Sequence, residues 1–384
     1  MMTNFIFAKK IMYPRLIENK IKAQVGSGKA IIVVGARQVG KTTLIKKILK
    51  GQDYLFLDGD DPSIRQLLQS PNTEQIRSIL AGNKIVFIDE AQRIESIGLT
   101  LKIITDQFKD VQLMVTGSSS FELGNKLNES LAGRKWEYEL FPIAWEEFEK
   151  KEGFVSAEQQ LENRLLYGFY PDVLNHKGNE RAVLKNLVSS YLYRDILSFA
   201  EIRKPEVLDK LLLALAFQIG NEVNYNELSN LIGINKITVQ KYIDILEKGF
   251  IIFRLNSFSR NLRNEIKRNR KIYFYDNGIR NMITGNFSAL NLRTDVGALW
   301  ENFLVSERMK QNIYKETFAR MYFWRTKQQQ EVDFVEEKDG EIYGYEFKWQ
   351  AKNKVRLPKT FVETYHAKTK VIDRNNFREF VIIN

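Results

Sequence analysis

The run "GARQVGKTTL" sets two glycines four residues apart and follows them at once with lysine and threonine, as Gly35-x-x-x-x-Gly40-Lys41-Thr42. That spacing suits the capture of a phosphate chain. Glycine lets the backbone turn so that successive N–H groups point at phosphate oxygens, and Gly35, Ala36, Arg37, Gln38, Val39 and Gly40 supply that backbone. Lys41 is placed to reach β- and γ-phosphates and Thr42 to offer its hydroxyl to Mg²⁺. Thr43 follows in the first turn of a helix whose positive dipole end adds to the attraction. Further on, "KIVFIDEAQRI" brings Asp89 and Glu90 to the end of an apolar run. Asp89 is expected to hold the Mg²⁺ shell and Glu90 to orient or polarise an attacking water; the other reading is a simple acidic turn. A third run, "VQLMVTGSSSFEL", ends in small hydroxyl residues. Ser118 is preferred to Thr116 for sensing the terminal phosphate or positioning water, although such residues are also ordinary turn formers. Arg134, in "LAGRKWEYEL", has two readings: a charge-stabilising finger acting in this chain or in a neighbour, or a structural ion pair.

A second set of chemical groups lies near the C-terminus, in "EVDFVEEKDGEIYGYEFKWQ". Asp339-Gly340 is a strong signal for a two-residue hairpin turn. Counting outward from it, Lys338 faces Glu341, Asp333 faces Glu346 and Glu331 faces Lys348, while Val332–Phe347 and Phe334–Tyr345 form the apolar face. Two opposed carboxylates repel unless a proton or a cation sits between them, and Mg²⁺ is the candidate cation. Glu301, in the apolar surroundings of "GALWENFLVSERM", is a candidate third carboxylate. The competing reading is a plain hairpin with solvated acids and a Glu331–Lys348 surface ion pair.

These groups need particular elements to hold them. Ile31 to Val34 reads as a strand entering the glycine loop, and the residues after Lys41 read as an amphipathic helix. Val86 to Ile88 reads as a strand ending at Asp89, and ligands of parallel α/β sheets gather at such ends. From Pro142 to Ile202 the pattern is helical and is expected to form a lid over the nucleotide cleft, with Arg194 either touching nucleotide or pairing with Asp195. Val207–Ile219, Asn226–Ile232 and Lys236–Lys248 read as helices, followed by a strand from Phe250, which is the order of a winged helix. Leu228, Leu231, Ile232, Ile237, Val239, Tyr242, Ile243 and Leu246 form the stripes expected to bury these helices together. The start of the third helix presents Asn235, Lys236, Thr238, Gln240 and Lys241 toward a DNA groove. A docking role toward protein stays open.

The runs GARQVGKTTL, FIDEAQRI, VTGSSS and LAGR followed by ELFPIAWEEF resemble the AAA-type P-loop ATPases of bacteria and archaea that carry a C-terminal domain of unknown function. The resemblance extends to "YGFYPDVL", "YLYRDIL" and "GALWENFLVSE". Ala36 stands where a proline is frequent. The set Glu301, Asp333, Glu346-x-Lys348 is similar to the core of the restriction-endonuclease-like fold, in which acids bind metal and the lysine activates water. Val332 replaces a frequent proline there. The resemblance implies an α/β chain: a P-loop core over 1–141, a helical lid over 142–204, a winged helix over 205–275 and a nuclease-like α/β domain over 276–384. It further implies ATP and Mg²⁺ as cofactors. The functions in view are ATP hydrolysis coupled to nucleic-acid binding, an ATP-gated protein-interaction switch, and an ATP-regulated metal-dependent nuclease.

Composition bounds these readings. The 384 residues contain no cysteine and two histidines, His176 and His366, far apart in sequence, so thiolate metal sites and cysteine nucleophiles are excluded. No stretch approaches the roughly 18 apolar residues of a membrane span, and the chain is expected to be soluble and cytoplasmic. A formal charge of +11 suits a polyanion. Seven basic residues against Glu265 fall within Arg254–Lys271, including Arg263, Lys267, Arg268 and Arg270. This run is the expected phosphate-tracking surface, with a solvated loop as the alternative. A protein partner and an oligomer are both left open.

Overall fold

The structure is a computed structural model that describes residues 11–118, 130–191, 205–259, 270–350 and 355–383. Ser119, Ser120, Arg194, Arg263, Lys267 and Arg268 lie outside the described residues. α1 (Glu18–Gln24) precedes β1 (Ala30–Val34), whose five residues are all buried, as suits a parallel strand covered on both faces. The glycine loop joins β1 to α2 (Lys41–Ile48). There follow β2 (Leu55–Asp58), α3 (Pro62–Leu68), α4 (Thr73–Leu80), β3 (Ile85–Asp89), α5 (Ile97–Gln107), β4 (Gln112–Gly117) and β5 (Lys135–Glu139). The five strands are parallel in the order β2-β3-β4-β1-β5. β4 therefore lies between the strand that feeds the loop and the strand that ends in Asp89, which brings Thr116 and Ser118 in between.

Next come α6 (Trp145–Glu152), α7 (Phe154–Tyr167), α8 (Pro171–Asn175) and α9 (Glu180–Tyr191). α8 borders the glycine loop, whereas α6 docks on the C-terminal part of the chain. The ring of Trp145 packs against Phe303 and Phe377, and its backbone N–H donates to Glu307 at 2.6 Å.

α10 (Pro205–Phe217), β6 (Glu222–Val223), α11 (Tyr225–Ile232), α12 (Lys236–Lys248), β7 (Ile252–Ser257) and β8 (Arg270–Phe274) follow in the expected order. Two residues of the expected stripe are solvent-facing: Leu231 is 67% and Ile237 81% exposed. Leu228, Ile232, Val239, Ile243 and Leu246 already close the helix contact. Ile237 sits in the first turn of α12, ahead of the first buried position, and projects past it.

The chain finishes with α13 (Asn277–Thr284), α14 (Val296–Lys315), β9 (Arg320–Arg325), β10 (Glu331–Lys338), β11 (Glu341–Phe347), α15 (Lys359–Tyr365), β12 (Lys368–Ile372) and α16 (Phe377–Val381). Its strands join those of the preceding part in one sheet, ordered β12-β11-β10-β9-β7-β8-β6. The junction is the parallel pairing of Asn256 with Tyr322 and of Ser257 with Phe323, so backbone hydrogen bonding runs across the expected division at 275/276. Among the described residues no helix is long and apolar enough to cross a membrane.

Candidate active site

Gly35 leaves β1 where the chain passes so close to Leu140 that a Cβ would lie 2.1 Å from its carbonyl oxygen. Only glycine fits there. Gly40, at φ 98°, makes the left-handed turn that opens α2. Between them the loop wraps Lys41, which is almost wholly buried. Its Nζ donates to the carbonyls of Gly35 and Ala36 at 3.0 and 2.8 Å.

The Thr42 hydroxyl donates to Asp89 Oδ2 at 2.8 Å, and the Thr116 hydroxyl donates to Asp89 Oδ1. The hydroxyl and the carboxylate expected to share a Mg²⁺ shell therefore converge. Hard oxygen donors of this kind fit that ion. Glu90 holds a left-handed φ of 47° at the strand end, a conformation that costs energy for a side-chain-bearing residue and clusters at functional sites. Its carboxylate accepts from Gln92 Nε2. The same amide nitrogen donates to Ser118 Oγ at 2.8 Å, and Gln92 Oε1 accepts from the Ser118 N–H at 3.2 Å. Thr116 thus contacts Asp89, and Ser118 is tied to Glu90 through Gln92. The latter residue was visible in "DEAQ", but nothing in its type marked it.

Arg134 lies elsewhere. It precedes β5 at the edge of the sheet opposite the glycine loop, where it ion-pairs with Asp106 at 2.5 Å. The ion-pair reading describes it within this chain, and the in-chain finger does not.

A cleft of about 490 Å³ is lined by Arg37, Gln38, Lys41, Thr42, Glu90 and Asp172, among others. A smaller cavity of about 180 Å³ lies beside it, and both border Gly40, Thr43 and Pro171. Its walls are chiefly apolar: Ile11, Met12, Tyr13, Leu44 and Ile143 take part. Arg15, also in its lining, donates to the carbonyls of Val39 at 2.7 Å and Phe141 at 2.6 Å and ion-pairs with Glu147 at 3.1 Å. Neither the cavity nor Arg15 was read from the sequence.

The C-terminal hairpin has the counted register from Phe334↔Tyr345 to Lys338↔Glu341. Asp339 and Gly340 both take the positive φ that the turn requires, 52° and 79°. The fold brings Glu301, Asp333 and Glu346 into electrostatic contact. Burial, then Glu301, then Glu346 push the Asp333 carboxyl up to about 8, partly offset by Lys271 and by the Phe347 N–H that donates to it at 2.8 Å.

The expected pairing of Glu331 with Lys348 does not occur. Lys348 pairs with Glu346 at 2.7 Å, and Glu331 pairs with Lys271 at 2.6 Å. A register shift in β10 between Val332 and Val335 re-aims the start of the strand. Lys271, only 1% exposed, also reaches Glu301 at 3.0 Å, and the Tyr273 hydroxyl donates to Glu301 at 2.6 Å. A lysine ammonium therefore takes the compensating role expected of a metal. Among the described residues no group of three or more His, Asp or Glu is gathered closely enough to hold a metal ion.

Of the basic run, Arg254 pairs with Asp244 and Glu247, Arg270 donates to the Tyr225 hydroxyl, and Lys271 is the buried lysine just described. Asn235 caps α12 by accepting from the Thr238 N–H at 2.8 Å. Lys236, Gln240 and Lys241 are exposed.

The sheet order and the loop match a P-loop NTPase fold, with Thr42 and Asp89 converging beneath the loop. Residues 27–149 match the family described as AAA domain, and residues 158–290 and 296–382 match two domains of unknown function, DUF8612 and DUF4143. The chain is similar to an uncharacterized protein of Mycobacterium tuberculosis, 26% identical over 83% of this chain and 70% of that one. An uncharacterized protein of Haemophilus influenzae is 23% identical over 81% and 80%. Among solved structures it resembles the Walker-type ATPase of Pyrococcus abyssi, with TM-score 0.50 and 16% identity over 71% of this chain and 96% of that one.

Proposed function

We propose that this protein hydrolyses Mg²⁺-ATP and uses the nucleotide state to control nucleic acid held by its C-terminal half. The observation that carries the first part is the meeting of Thr42 and Asp89 at 2.8 Å beneath the glycine loop, with Glu90 next in sequence. Thr42 and Asp89 would hold the ion, and the loop N–H groups with Lys41 would hold the β- and γ-phosphates. Glu90 orients the water that attacks the γ-phosphorus, breaking its bond to the bridging oxygen and releasing ADP and phosphate. Lys41 must leave the Gly35 and Ala36 carbonyls to do its part, and Glu90 must leave Gln92.

The second part rests on chemistry at one end of α12, where Lys236, Gln240 and Lys241 are exposed in a helix order of the winged-helix kind. Such residues suit phosphates and base edges. The test is ATP turnover with and without duplex DNA at low salt, repeated with Lys236→Glu/Lys241→Glu. Stimulation that the double variant loses supports the coupling; equal turnover in all four conditions overturns it.

A second reading, an ATP-gated protein-docking switch, is favoured by the exposed Leu231 and Ile237 close to that helix end. Solvent-facing branched apolar side chains suit a protein surface better than a phosphate backbone. The nuclease reading keeps the gathered acids of the hairpin, but it has to accommodate Lys271 among them.

A further inference from the structure

We infer that Arg15 is a positioning residue of the phosphate loop: by holding the Val39 carbonyl it aims the Gly40 N–H into the phosphate cleft, and Tyr314 of α14 fixes the seat from which it does so. This deepens the phosphate-loop reading and rests on it. The Arg15 side chain is only 6% exposed. Its Nη1 donates to the Val39 carbonyl at 2.7 Å, a charge-assisted bond and therefore a strong one. The carbonyl and the N–H of one trans peptide point in opposite directions. With the Val39 oxygen drawn to Arg15, the N–H of the same peptide, which belongs to Gly40, points away from the guanidinium. Gly40 lines the phosphate cleft together with Lys41, Thr42 and Glu90, whereas Arg15 lines the smaller apolar cavity. A cation on the carbonyl also polarises the amide, which makes its N–H a better donor to an anion.

The guanidinium is held by groups with little freedom. Nη2 donates to the Phe141 carbonyl at 2.6 Å, and Nε faces Glu147 at 3.1 Å. That carboxylate is fully buried and is itself fixed, accepting from the Leu16 and Ala144 N–H groups at 2.7 and 3.0 Å. Phe141 has its own N–H on the Tyr314 hydroxyl at 3.0 Å, and the preceding Leu140 is the residue against which Gly35 is pressed. The segment 140–141 therefore grips the loop at both ends, directly at Gly35 and through Arg15 at Val39. Tyr314 hangs that segment on α14, the helix that also carries Glu301 and Glu307. The seating of the C-terminal half is thereby felt at the Gly40 N–H. An arginine that only closed a buried junction would contribute to stability and leave phosphate binding by the folded protein unchanged.

The test is a titration of tripolyphosphate into the wild type, Arg15→Lys, Tyr314→Phe, their double variant and Lys41→Ala, each held well below its melting temperature. Binding is followed by calorimetry and by the backbone amide resonances of Gly40 and Lys41. Lysine keeps the charge at position 15 but has no planar fork to hold two carbonyls and a carboxylate together. Arg15→Lys should bind roughly tenfold more weakly than the wild type, the equivalent of one charge-assisted hydrogen bond lost. Tyr314→Phe should bind roughly threefold more weakly, and the double variant no more weakly than Arg15→Lys, because Tyr314 acts through the arginine. Wild-type affinity in folded Arg15→Lys overturns the positioning role, and additive losses in the double variant overturn the part given to Tyr314. Should Arg15→Lys not fold, the resonances decide. The Gly40 amide proton should move downfield on adding tripolyphosphate to the wild type and move less in Tyr314→Phe; movement at Lys41 without movement at Gly40 overturns the aiming. Failure of the wild type to bind, or undiminished binding by Lys41→Ala, overturns the phosphate-loop reading and the inference with it.

Discussion

Arg15 and Tyr314 meet at 3.5 Å between guanidinium and hydroxyl. That contact joins the floor of the glycine loop to the last turn of α14. The same arginine donates to Val39 inside the loop, and the same hydroxyl accepts from the Phe141 N–H at 3.0 Å. Tyr314→Phe leaves that buried N–H without its acceptor, a loss of about 1–3 kcal/mol. Arg15→Ala should cost more, about 3–5 kcal/mol, because Glu147 keeps a buried charge without its cation. Urea unfolding of the two variants checks the ranking, and a smaller loss in Arg15→Ala would refute it.

Lys41→Ala should abolish nucleotide binding, whereas Glu90→Gln should bind ATP as the wild type does and turn over roughly 10²–10³-fold more slowly. Gln92→Ala frees Glu90 from one partner and Ser118 from another. It should lower kcat by less than Glu90→Gln does, with little change in KM, since Gln92 acts through its neighbours. Steady-state turnover beside equilibrium binding separates these cases. Wild-type turnover in Glu90→Gln would remove Glu90 from its role.

The loop and the meeting of Thr42 with Asp89 were legible because the signal is local: the glycines, Lys41 and Thr42 lie between positions 35 and 42, and Asp89 ends a short apolar strand. The hairpin register was legible for the same reason, since Asp339-Gly340 fixes it within a few residues. Arg15 was not, because its partners are distant in sequence, Tyr314 by 299 positions, and a lone arginine after "YP" carries no pattern. Lys271 was read as part of a basic surface. Burial of β8 decides its fate, and a charge run says nothing about which of its members turns inward. Ile237 failed in the opposite direction, because helical periodicity identifies a face and not where along the helix the contact ends.

Glu139 pairs with Val34 at the root of the glycine loop. Burial, then Glu137, push its carboxyl up to about 7. The folded state therefore binds this proton more tightly than the unfolded chain does. The associated stability is complete below the unfolded carboxylate range and is lost as pH rises through about 7. Glu139→Gln should match the wild type near pH ~4, below the unfolded carboxylate range, and exceed it near pH ~8.5 by on the order of 2 kcal/mol, after a discount for partial exposure. Thermal melts at the two pH values check it, and a difference that is the same at both would contradict the shift.

Lys271 is the decisive residue of the C-terminal cluster, since its ammonium touches both Glu301 and Glu331 and opposes the upward push that burial and its acidic neighbours give the Asp333 carboxyl. Lys271→Met should destabilise the chain by about 3–5 kcal/mol at neutral pH, because Glu301 and Glu331 lose their buried counter-charge. The further question is whether another cation can take that place. If the acids can close around a divalent ion, millimolar Mn²⁺ should restore part of the lost stability in Lys271→Met and restore less in Lys271→Met/Asp333→Asn. If the hairpin is built only around its lysine, Mn²⁺ should move neither melting curve, and the metal-dependent nuclease reading loses its structural basis.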